Sequence, residues 1–459
     1  MQEFTIKMKI KIVLSSSLLL LSSGAYALDL VEAYQRAQST DPNWQAKLLQ
    51  YEAEQLDLGI AKGNLLPTIT LSGNVTRKSQ QTNSNLDTDL PFNSDLLMSS
   101  SSTTRQIALT ARQPLFRWDA WEALKQVKTS LSLSEINLQL QQQEHILNIA
   151  ETYFAVLRQQ SLTKANVQEE QALLKQLDMM NAKLREGLVA KSDVSEAKAQ
   201  YENARANRIA TYVELILSQE QLTQFIGPYR ENLAVLSTDF QFQKPYPENL
   251  SAWTDLAQSQ NLSIQQARLQ QRYAQDQKRV EKAASYPQIE AVGSYGYTKQ
   301  SPQNIISSDG QFDQIGIEMN WNIYSGGRTQ KSVQKAAVNV EKSTAQLDAA
   351  MRKANTDVKK AYLQVETDQA KLQARKAAMD SSQIVSQASK AQYQEGLKTM
   401  VDVLLAQRNA FSAKQEYLNA QYDYLMNVLR LKAAVGKLTT QDLSEMNTWL
   451  VDSSFQRIN

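Results

Sequence analysis

Asp193 and Asp402 are two carboxylates that the sequence itself pairs. Each stands in the frame Gly, five residues, Asp-Val, two residues, Ala, running from Gly187 to Ala197 and from Gly396 to Ala406. The offset is constant, since 396 − 187 and 402 − 193 both equal 209. An acidic residue just past a helix-ending glycine can serve the first turn of the next helix, where the dipole favours negative charge. Little else could do chemistry. The chain has no cysteine, which removes thiol catalysis, thiolate metal sites, disulfides and a lipid-anchoring cysteine. Its one histidine, His145, sits between Glu144 and Ile146 in a helical stretch and reads as a packed or surface side chain. Serine-histidine catalysis and multi-histidine metal sites are therefore not expected. The acidic residues of Leu86–Asp95 lack the spacing of a calcium loop. No enzyme, cofactor or metal site is expected.

The elements that must position these turns are long. Only 14 glycines and 9 prolines interrupt 459 residues, against a usual combined share of about 12%. Continuous helices are predicted from about Arg117 to Lys183 and from Arg328 to Gln394, each about 100 Å long at 1.5 Å per residue. Apolar positions Ile146, Ile149, Ala150, Tyr153, Phe154 and Leu157 follow i, i+3, i+4, i+7 spacing, as do Val358, Ala361, Tyr362 and Val365. Such narrow stripes must pack side by side as coiled coil. Returning helices run from Asp193 to Ile226 and from Asp402 to Val435, ending at Gly227 and Gly436, again 209 apart. Gly187 and Gly396 are expected to take positive φ.

Four segments alternate instead, at about 67–76, 105–116, 287–297 and 314–324. Ile69, Leu71 and Val75 alternate with polar residues, as do Ile315, Ile317 and Met319. Their length of about ten residues suits a tilted membrane strand, and terminal aromatics such as Phe116, Trp118, Tyr295, Tyr297, Trp321 and Tyr324 suit an interfacial girdle. A small soluble sheet is the competing reading. The linkers Arg77–Thr104 and Thr298–Asp313 read as exposed polar loops. Helices within Leu30–Asn64 and Leu250–Ser285 precede the strand pairs and stop at Pro67 and Pro287.

Residues 1–27 read as a secretory signal peptide: Lys7, Lys9 and Lys11, an apolar run from Ile12 to Leu21, and small residues at Ala25 and Ala27. Cleavage is expected after Ala27, and Met8 is an alternative start. The apolar run is too short for a membrane anchor. The remaining chain divides into a first repeat (28–227), an irregular segment (228–249), a second repeat (250–436) and a patternless tail (437–459). A net charge of +2 gives no reason to expect nucleic acid.

Four membrane strands cannot close a barrel, and an open edge in lipid leaves backbone groups unpaired. The chain must therefore oligomerise. Eight-stranded barrels are filled by side chains, and the small, polar set Thr70, Ser72, Asn74, Ser294 and Gly296 favours a lumen, so a twelve-stranded trimer is expected. The fold class is a mixed α and β membrane protein whose barrel continues as an α-helical coiled-coil barrel.

The leader without a lipid cysteine, the duplicated strand–long-helix plan and the paired turns resemble the TolC family, outer-membrane exit ducts of Gram-negative bacteria. The resemblance covers Leu28 to about Leu438. It implies a homotrimeric channel-tunnel of efflux pumps or type I secretion systems. The partners it implies are a periplasmic adaptor, an inner-membrane pump or ABC exporter, and outer-membrane lipid. It further implies that the hairpin tips form a closed periplasmic entrance. Tyr393 and Lys398 match its locking residues, with Ser192 and Asp193 as partners, and Asp402 matches a carboxylate ring. Lys398 stands where the family usually has arginine, and Leu405 where its prototype has a second aspartate. The tip residues Gly187, Leu188, Val189, Gly396, Leu397 and Thr399 match the adaptor-docking region. A non-conducting structural coiled-coil envelope protein is the alternative, and a porin is disfavoured by four strands per chain.

Overall fold

Helices run long where glycine and proline are absent, and strands begin where a proline stops the helix. The computed structural model describes residues 27–83, 97–237, 246–302 and 308–452. In order, these form α1 (Leu30–Thr40), α2 (Pro42–Gly63), β1 (Thr68–Asn83), β2 (Leu97–Arg117), α3 (Trp118–Arg185), α4 (Lys191–Ile226) and β3 (Val235–Leu236). The second half follows with α5 (Leu250–Gln260), α6 (Leu262–Ala283), β4 (Gln288–Pro302), β5 (Ser308–Asn320), α7 (Arg328–Gln394), α8 (Met400–Val435), α9 (Thr440–Asn447) and β6 (Leu450–Val451). Residues 1–26 of the expected leader, the Leu86–Asp95 loop and residues 453–459 of the tail lie outside the described residues.

Buried positions recur at multiples of seven residues: Asn166, Leu173 and Met180 on α3; Val358, Val365 and Leu372 on α7; Val403, Ala410, Tyr424 and Leu431 on α8, with Tyr417 half-buried between them. A strict seven-residue repeat keeps one seam facing its partner and imposes left-handed supercoiling. α3 packs against α4, and α7 against α8.

Three expectations are corrected. Each pre-strand helix is two. Asp41 accepts the Asn43 N–H at 2.9 Å and Pro42 opens α2, so the helix restarts there. Asn261 does the same for α6, accepting the Ile264 N–H at 3.0 Å. The polar loops are shorter than expected, because β1 and β2 extend to Asn83 and from Leu97, and β4 and β5 to Pro302 and from Ser308. The tail is structured over α9 and β6, and β6 pairs antiparallel with β3 of the supposedly irregular segment.

The sheet order is β1-β2-β4-β5, antiparallel throughout, with β1 and β5 as edges. Ile69, Ala111, Gly293 and Ile315 form one cross-strand row of the apolar face. A register shift between Pro114 and Phe116 brings Phe116 opposite Ile289, turning its ring onto that same face.

The main core lies near the middle of the long helices. Ile146, Ile149, Tyr153, Phe154 and Leu157 meet Tyr424, Leu425 and Leu429 there, together with α1 and α9. His145 is buried in this region, stacked on Trp44 with ring centroids 5.0 Å apart, and burial pushes its pKa down. The Tyr153 hydroxyl lies 2.9 Å from the Leu28 carbonyl and 3.0 Å from that of Ala234, tying the chain start to the segment between repeats. Tyr153→Phe is expected to lower stability by about 1–3 kcal/mol, the range for stranding a buried acceptor; thermal melting followed by circular dichroism measures it.

Candidate functional site at the hairpin tips

The two turns are built alike. In the first, Gly187 has φ 71°, its N–H donates to the Leu184 carbonyl at 3.0 Å, and Leu188 N–H reaches the Lys183 carbonyl at 2.9 Å. In the second, Gly396 has φ 76°, its N–H donates to the Tyr393 carbonyl at 3.0 Å, and Leu397 N–H reaches the Gln392 carbonyl at 2.8 Å. These paired bonds end each helix with a left-handed glycine. They project Leu188 and Leu397 outward, 71% and 76% exposed. Val189 is half-buried and packs on the tip core, whereas Thr399 is exposed.

The helix starts differ. Thr399 caps α8, accepting the Asp402 N–H at 3.3 Å, while the Asp402 carboxylate accepts the Thr399 hydroxyl at 2.6 Å and its N–H at 3.0 Å. These bonds, from the hydroxyl first and then the amide, hold the Asp402 carboxyl below its usual range. From the residue that begins its helix Asp193 accepts the N–H alone, that of Ala190 at 3.3 Å, because alanine has no side-chain hydroxyl to add. Ser192 donates to Asp193 at 3.5 Å. Both aspartates thus act at helix starts, and Asp402 does so more completely.

Tyr393 and Lys398 do not meet Ser192 or Asp193 within one chain. Lys183 of α3 donates to the Tyr393 hydroxyl at 3.3 Å and stands 4.6 Å from its ring centroid. The same hydroxyl lies 3.9 Å from the sulfur of Met180. Lys398 donates to Ser389 Oγ at 2.9 Å, within its own hairpin. Tyr393 therefore does join the two hairpins, through Lys183 and Met180, which sequence reasoning missed. Their signal was obscure: partner choice across hairpins leaves no spacing in the chain. Beneath the turns, Leu173, Met180, Ala197, Met400, Val403 and Leu404 form a separate small core.

The duplication shows where the copies diverge. At the 209 offset, Tyr393 faces Leu184, Lys398 faces Val189, and Leu405 faces Glu196. Leu405 is 54% exposed and Val401 beside it 55%. The tyrosine and the lysine thus belong to the second hairpin alone, whereas the acidic side chain at the third position belongs to the first. Among the described residues no cluster of acidic or histidine side chains could hold a metal ion, and no helix is long and apolar enough to cross a membrane.

Residues 33–228 and 253–437 match the family described as outer membrane efflux protein. The chain is 31% identical over 456 residues to the outer membrane protein TolC of Escherichia coli, covering 97% of this chain and 89% of that one. It is 27% identical over 432 residues to the alkaline protease secretion protein AprF of Pseudomonas aeruginosa, covering 93% and 88%. The CmeC outer membrane channel of Campylobacter jejuni superposes with a TM-score of 0.75 at 16% identity, covering 93% of this chain and 90% of that one, which speaks to the fold.

Proposed function

Because the chain belongs to the outer membrane efflux protein family and is an outer-membrane efflux and secretion channel, we propose that it works as a homotrimeric passive duct. The sheet carries this reading. The outer sides of β1 and β5 have no strand partner among the described residues, and one face of the sheet is apolar. Unpaired edges in lipid cost several kcal/mol per group, and three copies joining β5 to β1 give a closed twelve-stranded barrel. The opposite face carries polar groups, including Arg112 paired with Glu318 at 2.8 Å, which suit a wet lumen. The coiled-coil hairpins extend that lumen into the periplasm. The duct catalyses nothing. It takes drugs or proteins delivered by an inner-membrane pump or ABC exporter through a periplasmic adaptor.

In this reading the tips close the entrance. Tyr393 and Lys398 lock it, with Ser192 and Asp193 of the first hairpin as further partners across the seam between copies. Three copies of Asp402 line it and favour cations. Gly187, Leu188, Val189, Gly396, Leu397 and Thr399 form the adaptor-docking surface, where Leu188 and Leu397 supply exposed apolar contacts. The full chain in planar bilayers is expected to give small, steady currents at trimeric mass. Silence from a protein shown to be trimeric would leave the structural coiled coil as the account.

A further inference from the structure

The outward face of the sheet carries a cation pair that conduction does not use. Arg105 on β2 and Lys299 on β4 lie directly opposite each other in the ladder. Val75 on β1 continues that row, and Arg77, two residues further along β1, flanks Arg105 diagonally. Residues of one parity share a sheet face, so all three cations stand on the face of Ile107, Leu109, Tyr295 and Tyr297. All three are exposed.

Side chains directly opposite on antiparallel strands begin about 5 Å apart, and like charges there repel. Among the described residues none of the three has a carboxylate within ion-pair distance. Asp309, opposite Lys299 on β5, accepts the Tyr297 hydroxyl at 2.6 Å. Asp309 offsets one of the three positive charges, so the cluster keeps a net charge of about +2, which favours a further anion over it. β2 and β4 are the inner strands of the sheet, so a neighbouring copy joining at an edge does not cover the pair.

Height identifies the anion. Phe116 and Ile289 mark the row nearest the helices. Tyr297 lies eight residues along β4, about 26 Å of strand and about 20 Å along the membrane normal at a tilt of roughly 40°. Tyr295 and Tyr297 thus form the far aromatic girdle, and Arg105 and Lys299 stand one pleat beyond it. The long helices leave from the opposite end, so this end faces outward from the cell. Directly below the cations, Ile107 and Leu109 are exposed and apolar, which suits acyl chains and not an acidic protein partner.

We propose that Arg105 and Lys299, flanked by Arg77, bind the phosphate of an acylated lipid headgroup in the outer leaflet, with its chains lying along Ile107 and Leu109. A guanidinium takes phosphate through two parallel hydrogen bonds and an ammonium as a point charge, so the pair clamps one group from two strands.

The test uses the full chain, purified and delipidated in detergent, with bound lipid counted by native mass spectrometry. The probes are lipid A (a phosphorylated glycolipid), the same lipid without phosphates, and inorganic phosphate as competitor. Lipid A is expected to bind in preference to its dephosphorylated form and to weaken with salt. Arg105→Gln with Lys299→Gln is expected to lose about 25-fold, from about fivefold per basic residue at a membrane surface. Equal binding by that variant, equal binding of the dephosphorylated lipid, or displacement by inorganic phosphate at matched concentration each overturns the proposal. The swap of Arg105→Lys with Lys299→Arg keeps both charges and is expected to bind like the wild type. Loss there too would mean that the barrel surface had been damaged, and the proposal would fall. Wild-type conductance in both variants separates this outcome from failure of the channel reading.

Discussion

Gly436→Ala is expected to lower the stability of the chain by about 2–5 kcal/mol, whereas Gly396→Ala costs about 1–2 kcal/mol. Both glycines end a long helix pair with positive φ, 86° and 76°, and a non-glycine residue in that conformation pays roughly 1–2 kcal/mol. Their surroundings differ. A Cβ on Gly396 meets nothing within 4 Å, while on Gly436 it falls within 3.1 Å of three backbone atoms of Gln260 and Asn261. Those atoms form the α5–α6 junction, which cannot yield as a flexible side chain would. Asn261 binds α8 there, donating to the Ala434 carbonyl at 2.7 Å, while its Oδ1 caps α6. Pushing the junction away adds about 1–3 kcal/mol of overpacking and strains the bond from Asn261 to Ala434, while the cap within α6 moves with it. Thermal unfolding of the two variants side by side checks this. Equal losses would mean that conformation alone matters and that the junction is soft.

The contrast between these glycines also marks what the chain discloses of itself. Both were legible as helix ends, because a glycine closing a long apolar period has one common use. The crowding at Gly436 was not, because Gln260 lies 176 positions away (436 − 260) and nothing in the pattern links them. The same division holds elsewhere. The strand stretches facing lipid alternated clearly, but Ser101–Thr104 did not, since alternation reports an apolar solvent on one face and not backbone pairing. Asp41-Pro42 carries a helix-start signal that was overridden by the continuing apolar period around it. α9 and β6 were invisible because a short helix and a two-residue strand rest wholly on distant contacts. At the tips, the duplicated frame disclosed the turns and both aspartates. The residues that Tyr393 meets, Lys183 and Met180, belong to a neighbouring helix whose rotation only packing decides.

Replacing Tyr393 with Phe and Lys398 with Ser together is expected to raise bilayer conductance strongly, by shifting the closed–open ratio at least about 100-fold. Phenylalanine keeps the ring that Lys183 covers but loses the hydroxyl bonded at 3.3 Å. Serine removes the ammonium that Ser389 receives at 2.9 Å. Each link is worth about 0.5–1.5 kcal/mol net, so one chain, losing two, loses about 1–3 kcal/mol. If three copies open together, the loss is about 3–9 kcal/mol, and about 1.4 kcal/mol is a factor of ten. A ratio change of about 10⁴ is what turns 1:99 into 99:1, so the upper end of this range opens the duct outright. The single variants are expected to give smaller, unequal rises. Ser389→Ala separates two origins of the Lys398 effect. If it reproduces Lys398→Ser, the restraint lies within one hairpin, as the 2.9 Å bond has it. If instead Ser192→Ala or Asp193→Asn reproduces it, the working link crosses between copies. Unchanged current in the double variant, with trimeric mass retained, would remove Tyr393 and Lys398 from the entrance and leave closure to the apolar packing around Met180, Met400 and Leu404.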